Sequence, residues 1–315
     1  MTDHGLHGSA ADSVYDEALL GTDVSHWAFG SAELPADDPL LGMDAAPPEG
    51  VEAEALATYC LMLGDDALVA SHRLSEWCSR APDLEEDIAL ANVALDLLGQ
   101  ARLLLARGAA ASAAVVPMLP AGSPVPDEDA LAFFRDAEAY RNTRLVEPEH
   151  GDFAETVVRL LLLATWRLAL MERLRSSRDP VLAAISGKAV KELTYHRDYA
   201  ARWCVTLAQG TDESRSRMLA ALPHVWAFHE ELFVAHPVEM KLAAAGVAVD
   251  PASVRTSVSE VLAEVWASAG LATPTAAQVG PVAGGRGRDG RHTEALSRML
   301  AEMQSVARAH PGGRW

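Results

Sequence analysis

A chain of 315 residues, half of them hydrophobic, can bury one large core or two smaller ones without a disulfide or metal staple. Its formal charge of -18 excludes nucleic acid and anionic membrane as main partners, since both are polyanions. Three cysteines, Cys60, Cys78 and Cys204, with no Cys-x-x-Cys spacing point to neither a disulfide framework nor a zinc site and suit a reducing cytoplasm.

Residues 1–50 carry ten Asp or Glu and no Lys or Arg, and Pro35, Pro39, Pro47 and Pro48 break any period. This composition predicts a disordered acidic extension, in which Trp27 and Phe29 are the residues able to dock on a neighbour. Met1 to His7 lack the basic start and apolar run of a signal peptide. The most apolar window, Leu103 to Leu119, is broken by Arg107, Gly108 and Pro117, so no transmembrane segment is expected.

A first helix is expected from about Val51 to Trp77, with Leu56, Tyr59, Cys60, Leu63, Ala67, Ala70 and Leu74 at steps of three and four. Asp83, with Glu86 three residues on, caps a second helix that fades at Gly108. Four prolines between 108 and 126 mark a connection, followed by a short helix from Asp127 to about Tyr140. A third long helix starts at Asp152, its buried face formed by Val157, Leu160, Leu161, Ala164, Leu168 and Met171. Asp179-Pro180 opens a fourth, closed by Gly210. Further helices are expected from Thr211 to about Ala235, from Asp250-Pro251 to Ala269, and from Thr293 to Ala309. No alternating strand pattern survives, which makes the chain all-α, an antiparallel bundle over residues 51–315 with additional C-terminal helices.

Polar groups on the apolar stripes are the candidate chemistry. Asn92, Asp96 and Gln100 share a stripe with Ile88, Val93 and Leu97, and His196 lies on the core stripe of the fourth helix with Glu192 one turn before it. At this spacing Glu192 and His196 suit a hydrogen-bonded pair as well as a metal, and a paired core histidine is the plainer reading. Asp65-Asp66 reads first as an ion-paired feature and second as a helix-one ligand. The one literal Glu-x-x-His, Glu147 to His150, contains Pro148 and lies between helices, so it cannot present both groups on one helical face. Gly284-Gly285-Arg286-Gly287-Arg288 follows no strand and lacks a Lys-Ser/Thr pair, as a flexible linker would.

Several blocks carry a resemblance. Leu63 to Asp66, Leu74 to Cys78, Ala81-Pro82, Ala89 to Arg102, Leu145 to Glu147, Lys188 to His196, His292 to Glu294, Leu300 to Gln304 and Pro311 to Trp315 resemble, in order, the C subunits of bacterial phenylacetyl-CoA 1,2-epoxidases. The resemblance implies a ferritin-like subunit that binds no metal and is no enzyme on its own. It would stabilise a related catalytic subunit with a di-iron centre, beside a small accessory subunit and an NADPH-linked reductase. That system adds one oxygen atom from O2 across the ring of phenylacetyl-CoA. Against the catalytic relative, Leu97 and Gln100 stand where a Glu-x-x-His pair would be, Leu193 and His196 where the second would be, and Ala164 near the helix-three acid; Asp66 is the position able to retain the helix-one acid. One His and one carboxylate cannot hold two irons, and Asp96, Gln100, Lys191, Glu192 and His196 are expected to form an internal polar network instead.

The same resemblance places phenylacetyl-CoA near Ala139, Tyr140, Arg141 and Asn142 and near Met240, Lys241 and Leu242. Arg141 and Lys241 suit CoA phosphates, and Tyr140 suits adenine. Two other readings stand beside the structural subunit: a self-sufficient carboxylate-bridged metal oxidase using Glu192, His196 and helix-one acids, and a free-standing acyl-CoA-binding helical module.

Overall fold

A computed structural model describes residues 46–313, so the disorder expected of the extension, the docking of Trp27 and Phe29, and Trp315 lie outside the described residues. Two long hairpins form the centre. In the first, α1 (Ala53–Ser75) packs antiparallel on α2 (Leu84–Ala111); in the second, α4 (Phe153–Leu174) packs on α5 (Pro180–Gln209). Between them runs α3 (Asp127–Phe133), and α6 (Asp212–Trp226), α7 (Pro237–Ala244), α8 (Arg255–Ser268), α9 (Glu294–Met303) and α10 (Ser305–Ala309) follow. The described residues contain no strand, only an isolated bridge between Val282 and Gly285.

Helix starts follow the capping chemistry of the sequence. Asp83 accepts from Glu86 N, Asp152 from Glu155 N and Asp179 from Leu182 N, while Thr211 and Ser214 form a reciprocal capping box. At Asp83 only half of the box forms, because the Glu86 side chain turns away to Tyr199 and Trp203 on α5. Close contact of α1 with α2 needs Gly64, where a Cβ would lie 3.0 Å from Leu105 Cδ2. By length and composition alone α2 is apolar enough to cross a membrane, a test that a buried core helix passes equally. Its Leu90, Val93, Leu97 and Leu104 are buried in the protein core instead.

Four expected helices are shorter or broken, three of them where a polar side chain is drawn inward. The helix from Asp127 stops at Phe133, and Arg135 then turns in to Asp65. The helix from Thr211 stops at Trp226 rather than Ala235, and a 3-10 turn, Glu230–Phe233, carries Glu231 to Arg144. The last helix breaks at Gln304, whose buried amide donates to Ala132 O and Arg135 O. In the fourth case Asp250-Pro251 opens a 3-10 turn before α8. In addition α7 appears where no helix was expected, started by Pro237 and capped reciprocally by His236 and Glu239.

Candidate functional site

Two layers of buried charge lie inside the bundle. The first surrounds the adjacent carboxylates of α1, which a helix aims about 100° apart. Asp65 accepts from Arg135 at 2.5 and 3.0 Å and from Arg141 N at 2.8 Å. Asp66 takes Thr143 N at 2.7 Å, Thr143 Oγ1 at 3.1 Å and Arg288 Nη2 at 2.7 Å. All four oxygens are occupied, so Asp66 is a structural anion. Glu231 binds Arg144 and Gly287 N in the same way, and Glu147 accepts from Asn142, His292 and Thr293 N. Gly287 is required for this closure, since a Cβ there would meet Asn142 O at 2.1 Å. Glu147 and His150, the literal Glu-x-x-His, point to different partners: His150 Nε2 donates to Arg73 O and Nδ1 lies 3.1 Å from Thr156 Oγ1.

The second layer lies between the hairpins, built from Gln100 on α2, Arg167 on α4 and Glu192 and His196 on α5. Leu97, Leu193 and Ala164 are buried and apolar. Gln100 bridges: its Nε2 donates to Glu192 Oε2 at 2.9 Å, and its Oε1 accepts from Arg167 Nε at 3.0 Å. Arg167 on α4 is fully buried, donates from Nη1 to Leu63 O at 2.9 Å, and leaves Nη2 without a partner. Burial pushes its pKa down to about 10, with Asp66 opposing, so the guanidinium is charged at neutral pH. His196 Nε2 lies 3.0 Å from Asp96 Oδ2 and therefore carries the proton, while its Nδ1 has no partner. Burial raises the Glu192 carboxyl, offset in part by Gln100. Of the residues expected in this network, Gln100 with Glu192 and Asp96 with His196 form two separate pairs, and Glu192 and His196 bond these partners instead of each other; Lys191 does not join, because it lies on the exposed side of α5.

Sequence reasoning missed Arg167 altogether. It stands three residues after Ala164 on the very stripe that buries Leu160, Leu168 and Met171, and that spacing was the available signal. These residues do not fit a di-iron group. Among the described residues no three His, Cys, Asp or Glu side chains converge as metal ligands, and a fixed cation stands beside the pair that remains.

The residues expected near substrate divide. Tyr140 is fully buried under the Arg135 guanidinium, bonded to Ala132 O and Gln304, so it cannot stack on adenine. Asn142 is equally enclosed, and Arg141 Nη1 is bound to Glu138 O and Tyr140 O at 2.6 and 2.8 Å. Ala139 is half-buried and Leu242 buried. Met240, 47% exposed, and Lys241, paired with Glu52, do face solvent. A cleft of about 330 Å³ between the C-terminal turn of α4 and residues 246–253 includes Arg173, Ser177 and Asp250, and none of the expected substrate residues lines it.

A family model described as Phenylacetic acid catabolic protein matches residues 43–315. The chain belongs to that family. It is 45% identical over 260 residues, 82% of this chain and 99% of the relative, to the C subunit of the 1,2-phenylacetyl-CoA epoxidase of Escherichia coli (strain K12). The all-α, ferritin-like architecture expected from the sequence is the architecture of this member of the phenylacetic acid catabolic protein family.

Proposed function

We propose that this chain is the non-catalytic C subunit of a cytoplasmic phenylacetyl-CoA epoxidase system, bracing a related subunit that holds the di-iron centre. The whole reaction consumes O2, NADPH and a proton with phenylacetyl-CoA and yields the ring 1,2-epoxide, NADP+ and water. In this reading a small accessory subunit and the reductase belong to the same assembly, phenylacetyl-CoA sits near the subunit interface, and no metal or cofactor resides in this chain.

The observation that carries the non-catalytic part is Arg167. A di-iron bundle uses carboxylates to balance metal charge; here the interior supplies its own cation, bridged by Gln100 to Glu192. Leu97, Leu193 and Ala164 fill the remaining ligand places with hydrocarbon. What the chain offers a partner is a stiff scaffold whose interior charge is already balanced.

Co-expression with the catalytic subunit tests this. The two chains should co-purify through a large interface, and the iron in the assembly should be unaffected by His196→Ala. Stoichiometric iron in this chain alone, lost in His196→Ala, would make it a metal oxidase. Tight acyl-CoA binding without any co-purification would make it a free-standing binding module.

A further inference from the structure

Five rings form a path across one end of the bundle, in two ring-contact segments that Glu86 joins. Tyr195 and Tyr199, one turn apart on α5, stack with centroids 6.2 Å apart and planes 29° from parallel. Trp203 follows one turn later. Both the Tyr199 hydroxyl and Trp203 Nε1 donate to the same oxygen, Glu86 Oε2, the latter at 2.7 Å. Trp203 meets Phe153 edge-on at 5.1 Å, and Phe153 meets Trp77 edge-on at 5.9 Å. The path reaches solvent at both ends: Tyr195 is 47% exposed, and Trp77 is partly exposed beside the exposed Cys78.

Packing alone asks only for apolar bulk here. Four of the five rings are instead the side chains most readily oxidised by one electron, and the buried tyrosine among them faces a carboxylate able to take its proton. Burial and Glu86 hold the Tyr199 hydroxyl well above the ordinary tyrosine pKa, so its proton leaves only when an electron does.

We propose that Trp77, Phe153, Trp203, Tyr199 and Tyr195 form a one-electron relay that carries oxidising equivalents from the partly exposed Trp77, past the buried Tyr199, to the exposed Tyr195. A one-electron oxidant, an oxygen-derived radical or a metal-oxo species, removes an electron from Trp77. Trp203 refills Trp77 across the Phe153 ring. Tyr199 refills Trp203 and gives its phenolic proton to Glu86, leaving a neutral tyrosyl radical beside a neutral carboxyl. Tyr195 then supplies an electron and releases its own proton to water, while the Glu86 proton returns to Tyr199. A small-molecule thiol gives a hydrogen atom to the Tyr195 radical, and two thiyl radicals so formed join as one disulfide. No bond of the protein is broken. The relay belongs to this chain alone; that its oxidant arises in an oxygen-activating partner rests on the function proposed above.

Cys78 provides the handle for a test, since Cys60 and Cys204 are buried. A thiol-reactive ruthenium photosensitiser on Cys78 of the full chain, oxidised by flash-quench, injects a hole at Trp77. The tryptophan radical absorption should decay into a tyrosyl absorption, and added thiol should quench the latter. Tyr199→Phe should abolish the tyrosyl signal, and Trp203→Phe should slow its appearance by an order of magnitude. Tyr195→Phe should leave a tyrosyl radical that thiol quenches far more slowly. Tyr59→Phe, off the path, should change nothing, and circular dichroism verifies the fold of every variant. A wild-type radical that stays on tryptophan, or a tyrosyl yield unaltered in Tyr199→Phe, overturns the relay. Loss of co-purification in the assembly experiment would instead remove its oxidant and leave these signals intact.

Discussion

The outer and inner layers of buried charge obey different rules. Around Asp65 and Asp66 every carboxylate oxygen is met by arginines or backbone amides drawn from residues 135–144 and 288, far along the chain. Around Arg167 one guanidinium nitrogen and one imidazole nitrogen go unmet, and an amide does the bridging. Saturated carboxylates fix the path of irregular segments, because each partner has one place to be, even though Asn142 Oδ1 and Thr293 Oγ1 beside Glu147 go unmet. The layer around Arg167 leaves two buried nitrogens unmet and relies on the Gln100 amide to join the cation to Glu192.

The sharpest way to break this distinction is to remove an outer anion. Asp66→Ala strands Arg288 in the interior and should cost about 3–5 kcal/mol, read as a lower urea midpoint. A loss no larger than that of an inner-layer variant would put the two layers on one footing. Acid should weaken the outer layer next. Burial, reinforced by Arg159, pushes the His150 pKa down to about 4, below the value of about 6.5 in the unfolded chain. The native state then binds fewer protons than the unfolded state between those values. The stability is full above about pH 6.5 and is lost as pH falls through 4, by about 3 kcal/mol in all. His150→Gln should flatten that part of the pH profile of the unfolding midpoint; an unchanged slope would assign it to other groups. His72, His229 and His236, also depressed by burial, act with the same sign.

Arg167→Met should move stability by less than about 1.5 kcal/mol in either direction, since it removes an incompletely bonded cation and leaves hydrocarbon. A double-mutant cycle of Arg167→Met with Gln100→Leu should show weak coupling, against strong coupling for Asp66 with Arg288. The smallest effect on folding belongs to Lys241→Glu, on an exposed pair with Glu52: no change in melting or assembly is expected, with weaker acyl-CoA binding by the assembled complex. Unchanged binding by calorimetry would remove Lys241 from the substrate path.

Three of the four long helices were legible because Asp83, Asp152 and Asp179 mark their starts, as Thr211 does for α6, while α1, which has no side-chain cap, was legible from the spacing of its apolar residues alone. Asp65-Asp66 could be read as ion-paired, but its partners could not. Arg135 and Arg288 lie in irregular segments with no period, and arginine is normally exposed. The shortened helices share that cause: Arg135, Glu231 and Gln304 end local helix by finding long-range partners, which a window of neighbouring residues does not contain. In the inner layer the residues Leu97, Gln100, Leu193 and His196 were visible one by one on the apolar stripes of their helices. The cation beside them was hidden among leucines.

The partner of Asp66 is 222 residues away, at Arg288. The first helix therefore completes its charge balance only through a contact of very high sequence separation, the kind whose loop-closure entropy must be met before the contact repays it, so this clasp belongs to the late, slow part of folding.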